Sequence, residues 1–273
     1  MIKPRPVSKR KDVTIVAGFN YKNGILICGD REESRGASKT AVEKVVTIHA
    51  DPFNLTVATA GSSAVGELAL RRLRETFFRQ WFSSNQNVSF ILDKHEQIII
   101  DVLTKIHEDH VWNNPVTDHR IQLIIGISFR ELHRQLLYLT QDNILQLTDR
   151  YCCAGYGEDL CIYFAEHLYR KELTKDEMIL LASFIFREVN ATRQFCGKGT
   201  DMALLRSGEL GLHIHPVGVE SIQRNIPEFP KVMAAFWDNL KGLPNWVTSI
   251  DKILEAGEAD SKPSDSQKSE PEQ

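Results

Sequence analysis

No apolar run in this chain approaches the roughly 18 residues that a membrane-crossing helix needs. The N-terminal stretch MIKPRPVSKRKD is basic but has no apolar core, which excludes a secretory signal. The formal net charge is only -3, so a surface built to neutralise nucleic-acid phosphates is not expected. The cysteines are five, Cys28, Cys152, Cys153, Cys161 and Cys196, with no CxxC spacing. That odd set disfavours a disulfide framework and points to buried, reduced thiols in a cytoplasm-like compartment. A GxSxG elbow is absent, and Gly197-Lys198-Gly199-Thr200 lacks the spacing of a phosphate loop.

What remains is an ordinary globular composition, 42% hydrophobic and 25% charged over 273 residues, enough for one large domain or two small ones. From 13 to 60 the pattern is strand-like: VTIVAGF, GILICGD, VEKVVTIH and NLTVATAG are short β-branched runs bounded by Gly, Asn or Asp. Lys22-Asn23-Gly24 predicts a tight hairpin, with positive φ tolerated at Asn and Gly. Residues 62–82 then place Val65, Leu68, Leu73 and Phe77 at helical spacing, with Ser62 or Ser63 as the cap. A second helix is expected within 88–112. Strands return at 121–128, 133–140, 143–148 and 150–155. Two more helices follow at 157–171 and 174–190, the latter opened by a Thr174–Glu177 capping box. DMALLR and LGLHIHPV close with strand character. Segregated runs of strands and helices predict an α+β fold: two antiparallel sheets packed face to face between two helix layers.

The chemistry centres on KDVTIVAGFNYKNGILICGDRE. A threonine hydroxyl is a weak nucleophile unless something accepts its proton. One solution is the threonine's own free α-amine, whose ordinary pKa of ~8 suits proton transfer near neutrality. A neighbouring lysine held by a carboxylate would depress the pKa of such a threonine.

Thr14, Asn23-Gly24, Gly29-Asp30, Ser38-Lys39, Glu43-Lys44-Val45 and Ala58-Thr59-Ala60-Gly61 together resemble the proteasome β-type family of N-terminal-nucleophile hydrolases. The order of strands and helices from 13 to about 216 is similar to that family as well. The resemblance implies Thr14 as nucleophile and, once freed, as general base. It implies Asp30 as the residue orienting Lys44, Lys44 as the group that tunes the threonine, and the Gly61 backbone N–H as oxyanion-hole donor. It also implies peptide substrates, no cofactor and no metal, and a homo-oligomeric ring in which Trp81, Trp237 and Trp246 are candidate contact residues. A regulatory ATPase for such a ring is left open.

Several positions depart from the family pattern. Val13 precedes Thr14 where the family has a glycine or an initiator methionine, and a register shifted by one residue would put Val13 at the nucleophile position. Tyr156 stands in Gly155-Tyr156-Gly157 where the family has a serine. Gln194 and Cys196 stand loosely where it has an aspartate and a serine. Exposure of Thr14 requires cleavage after Val13, or translation starting at Val13. The competing expectation is a catalytically inactive structural subunit; a hydrolase of small non-peptide amides is a third.

The expected organisation is a disordered basic leader or propeptide at 1–12 and a hydrolase domain at 13–218. A helical extension at 219–255 and a disordered tail at 256–273 complete it. Other polar features read more simply: His213 and His215 as a surface pair, His107 and His110 likewise, and Arg71, Arg72 and Arg74 as the wet face of a helix.

Overall fold

The computed structural model describes residues 14–35, 38–50, 53–112, 120–141, 144–193, 196–206 and 211–226. The expected leader, the tail, most of the 219–255 extension, Val13, Gln194, Trp237 and Trp246 lie outside them.

Two five-stranded antiparallel sheets form the centre. The first runs in the order β10-β1-β2-β11-β12, with β1 Ile15–Tyr21, β2 Gly24–Asp30, β10 Tyr151–Gly155, β11 Thr200–Arg206 and β12 Leu212–Ile214. The second keeps sequence order: β5 Val45–Ala50, β6 Phe53–Gly61, β7 Ile121–Phe129, β8 Arg134–Gln141 and β9 Ile144–Thr148. A two-stranded hairpin of β3 (Glu32–Arg35) and β4 (Ser38–Ala41) links them; the sequence pattern, polar here, did not predict it.

Helices cover both outer faces. Against the second sheet pack α1 (Ser63–Ser83) and α2 (Val88–Ile106), the latter continuing as a π-helical turn over His107–Trp112. Against the first pack α3 (Glu158–Leu168), α4 (Lys175–Thr192) and α5 (Pro216–Asn225). The two-period of the strands explains their unbroken apolar character. In β2, Leu26 and Cys28 face the helix layer while Ile25 and Ile27 face the other sheet. The seam between sheets is narrow. A Cβ on Gly18 of β1 would stand 2.7 Å from Leu137 and 2.8 Å from Ile124; one on Gly126 of β7 would meet Leu205 at 2.7 Å and Ile27 at 2.8 Å.

Local chemistry mostly follows the sequence. The Thr174–Glu177 capping box forms in full at α4. At α1 the N-cap is Ser62, but its hydroxyl makes no capping bond. Asn87 caps α2 by accepting from Phe90 N–H at 3.2 Å. The β1–β2 hairpin is the expected tight turn, pairing Tyr21 with Gly24, yet neither Asn23 nor Gly24 adopts positive φ. Gly24 is needed instead for space, since a Cβ there would lie 2.4 Å from the Leu205 carbonyl oxygen. The LGLHIHPV strand is shorter than expected: His215 already caps α5, whose first residue is Pro216. Trp81 does not serve as a surface contact, being 6% exposed within the α1–α2 core.

Candidate active site

Thr14 immediately precedes β1, and its backbone is pinned there: the carbonyl oxygen accepts from Tyr156 N–H at 2.6 Å. Gly155, at the end of β10, makes that approach feasible. Its φ of +98° belongs to the left-handed region, and a Cβ would stand 2.3 Å from the Thr14 oxygen and 3.3 Å from the Ala60 Cβ. The end of β6 thus lies against the same threonine, bringing Gly61 to this edge of the sandwich. Gly61 has φ +99°, and a Cβ there would stand 2.3 Å from the Arg120 carbonyl oxygen.

Asp30 ends β2, hydrogen-bonded to β11 on one side and β1 on the other. Its carboxylate is fully buried. Oδ1 accepts from the Thr14 hydroxyl and from Ile15 N–H at 3.0 Å. Oδ2 accepts from Glu32 N–H at 3.2 Å and Gly197 N–H at 3.3 Å. A buried carboxylate is tolerated only with such a shell of donors and a counter-charge. Lys44 supplies the charge: Nζ lies 2.9 Å from Asp30 Oδ1, donates to the Glu32 carbonyl oxygen at 2.5 Å, and donates to the Thr14 hydroxyl. The lysine is 8% exposed, so its ammonium is withheld from bulk solvent. Thr14, Asp30 and Lys44, read from sequence as one constellation, therefore converge on a single point.

One contributor, Asp201, escaped the sequence reading, and Cys196 entered it only as a departure from the family pattern. Asp201, 1% exposed on β11, accepts from Lys44 N–H at 3.3 Å and faces Arg31 Nε at 3.3 Å. Burial pushes its carboxyl above the usual range, against the pull of Arg31. A lone carboxylate inside the apolar run DMALLR was the available signal. Cys196, 4% exposed, lies beside Asp30, Lys44 and Glu32, and burial with those carboxylates raises its thiol to about 12. Such a thiol stays protonated at neutral pH and is a poor nucleophile. Tyr156 contributes its N–H to Thr14, while Arg193 lies 5.8 Å over its ring.

Of the remaining polar features only His213 comes near this edge, on the strand beside Asp201. His215 caps α5 by accepting from Val217 N–H at 3.3 Å, and His213 lies 3.8 Å from Glu43. Buried His107 bonds the Leu103 carbonyl oxygen at 2.9 Å. Arg71 and Arg74 are exposed, as a wet helix face requires, and Arg72 pairs with Asp109. Among the described residues no helix is long and apolar enough to cross a membrane.

Two antiparallel sheets enclosed by helix layers form the α+β sandwich of the N-terminal-nucleophile hydrolase fold. Residues 11–205 match the proteasome subunit family, and the chain belongs to it. No curated protein sequence matches the chain. Among solved structures it is similar to Anbu, an ancestral β-subunit, from Yersinia bercovieri, with TM-score 0.63 and 12% identity over 79% of this chain and 99% of that one. An Anbu Gly-1 mutant from Hyphomicrobium sp. strain MC1 aligns with TM-score 0.62 and 11% identity, covering 77% of this chain and 93% of its own. A second structure of Anbu from that strain gives 0.61 and 11%, with coverage of 79% and 99%. Likeness at this level of identity concerns the fold alone.

Proposed function

We propose that this proteasome-family subunit is a threonine-type peptidase in which Thr14, once its amine is free, attacks the scissile carbonyl. The observation that carries the proposal is the convergence of Lys44 Nζ and Asp30 Oδ1 on the buried Thr14 hydroxyl.

In the chain as translated, Val13 acylates the Thr14 nitrogen, and an amide nitrogen is no base. Removal of that residue gives an amine. It takes the hydroxyl proton as Oγ bonds to the substrate carbonyl carbon, a form of assistance typically worth roughly 10²–10⁴-fold. The Lys44 ammonium, fixed by Asp30, favours the developing alkoxide. The negative charge on the former carbonyl oxygen is assigned to the Gly61 N–H, a donor typically worth ~3 kcal/mol in the transition state. The protonated amine returns its proton to the leaving nitrogen as the peptide bond breaks. Water then adds to the threonyl ester, restoring the hydroxyl and releasing the acid.

On this proposal residues 13–218 form the hydrolase domain, preceded by a removable leader and followed by an accessory C-terminal extension. The subunit works in a homo-oligomeric ring on polypeptides in the cytoplasm. The test combines N-terminal sequencing of the purified protein with mass-spectrometric mapping of a threonine-directed epoxyketone. Adduct at Thr14, lost in Thr14→Ala, is expected; labelling that survives the substitution overturns the assignment.

A second reading, an inactive ring subunit, draws on Tyr156 and Gln194, which stand where the family pattern has a serine and an aspartate. It requires Thr14 to remain acylated in the assembled protein, so an intact Val13–Thr14 bond in a ring-forming, unlabelled sample would favour it.

A further inference from the structure

Lys44 is held at more than its ammonium. Its carbonyl oxygen accepts from Thr59 N–H at 3.2 Å, on the second sheet, and its N–H donates to Asp201 at 3.3 Å, on the first. The lysine backbone is thus strung between the two sheets. Asp201 also faces Arg31, which sits between Asp30 and Glu32, the two residues whose oxygens receive the Lys44 ammonium. Arg31 is itself fixed through its N–H to the carbonyl oxygens of Gly197 and Gly199, both at 3.1 Å. Its own carbonyl oxygen accepts from Val42 N–H at 2.8 Å, two residues before Lys44. One buried carboxylate therefore touches both segments whose relative placement sets the ammonium.

We propose that Asp201 is the positioning residue for Lys44, acting through the lysine's peptide N–H rather than its side chain. The three residues 42–44 lie in no strand, so on its N–H side the stem of Lys44 begins from a point that strand pairing does not fix. With the N–H anchored, the stem must reach Asp30 and the Glu32 carbonyl from one origin. Without the anchor, the N–H either goes unpaired in a buried setting or turns toward water and draws the stem with it. Acceptance, not charge, is the required property. The catalytic consequence rests on the Thr14 proposal; the placement of the ammonium does not.

The experiment is therefore read first without turnover. In ¹⁵N-labelled full-length protein, the Lys44 ammonium gives a slowly exchanging ¹H–¹⁵N signal, assigned by its loss in Lys44→Arg. The signal is expected to persist in Thr14→Ala, in Asp201→Asn, whose amide oxygen still accepts, and in Arg31→Ala. In Asp201→Ala its exchange should rise by about tenfold or more, the scale of one lost buried hydrogen bond. Asp201→Ser, which withdraws the acceptor from reach, gives the same readout should the alanine variant fail to fold. An unchanged signal in the alanine or serine variant overturns the proposal. So does loss of the signal in Asp201→Asn or Arg31→Ala, which would make the Arg31 pair the positioning element. Epoxyketone labelling, measured in parallel, should slow in Asp201→Ala and stay near wild type in Asp201→Asn. Complete absence of labelling in the wild type would remove the Thr14 proposal and leave the ammonium result standing.

Discussion

Lys44 Nζ and Asp30 Oδ1 stand 2.9 Å apart at a carboxylate with no solvent exposure, and the same two atoms both reach the Thr14 hydroxyl. Neither group is stable at that depth without the other. Removing one partner of a buried pair typically costs ~3–5 kcal/mol, because a charge is left uncompensated. Lys44→Met keeps the apolar stem and removes the ammonium. It is expected to abolish Thr14 labelling and to lower the melting temperature by roughly 6–20 °C, at ~2–4 °C per kcal/mol for a chain of this size. Calorimetry decides: an unshifted melting curve contradicts the pair's structural weight.

Gly155 and Gly61 give a steric prediction. Both hold left-handed φ, and at each the missing Cβ would collide with a backbone carbonyl oxygen at 2.3 Å. Gly155→Ala must displace Thr14 itself and is expected to suppress labelling while costing ~1–3 kcal/mol of strain. Gly61→Ala presses on Arg120 and should distort the end of β6, with a similar cost. Urea unfolding of the two variants beside Gly66→Ala provides the control. Gly66 lies in α1, where a Cβ meets only the Thr59 side chain, at 3.3–3.5 Å.

Cys196 separates threonine from thiol chemistry. With its thiol raised to about 12 by burial and by Asp30, almost no thiolate exists at pH 7.5. Iodoacetamide should leave native Cys196 unmodified, and Cys196→Ser should retain epoxyketone labelling at Thr14. Alkylation of the native thiol within minutes, read by peptide mapping, would contradict this.

His95 sets a pH limit on stability away from the active edge. It is buried in α2, with Nδ1 2.5 Å from the Leu92 carbonyl oxygen and Nε2 2.6 Å from the Tyr138 hydroxyl. Tyr138 donates to Glu96 at 2.9 Å, so Glu96 and His95 Nε2 compete for one phenolic hydrogen. Desolvation lowers the histidine's pKa and outweighs the opposing influence of Leu92, Glu96 and Asp93; Arg134 acts with it. The folded protein therefore binds this proton less readily than the unfolded chain, whose histidine titrates near ~6.5. The contribution of neutral His95 is complete above that value and is lost as pH falls from it toward the lower folded pKa. Urea midpoints between pH 7.5 and 5 should decline more steeply in the wild type than in His95→Phe. Parallel slopes would remove His95 from the account.

Most of the architecture was legible because its strands are short β-branched runs bounded by Gly, Asn or Asp. Ile25 and Ile27 pack toward the other sheet while Leu26 and Cys28 pack toward the helices, which is why the run is apolar throughout. Thr174 and Glu177 likewise determine a helix start whatever the surroundings. The Thr14–Asp30–Lys44 constellation was legible only through family resemblance, since threonine, aspartate and lysine at strand ends are individually common. Asp201 was missed because the Lys44 N–H it serves is a backbone group, and sequence carries no trace of which side chain a backbone group will meet. Trp81 was misplaced for another reason. It is followed by the exposed Phe82, and only the packing of α1 on the sheet, where Trp81 meets Phe53 edge-on, shows which of the two turns inward.

The narrow gap bridged by Gly18 and Gly126 has a bearing on reactivity. Thr14, Asp30 and Asp201 ride on one slab of the sandwich, while Lys44 and Gly61 lead into or finish strands of the other. Thr14 is thus fastened to one plate, while Lys44, whose ammonium reaches its hydroxyl, is tied by its backbone to both. Any slippage between the plates alters their separation directly, so a side chain shaved from the interlayer, such as Leu137, would register as altered threonine chemistry at a distance, well before the molecule as a whole comes apart.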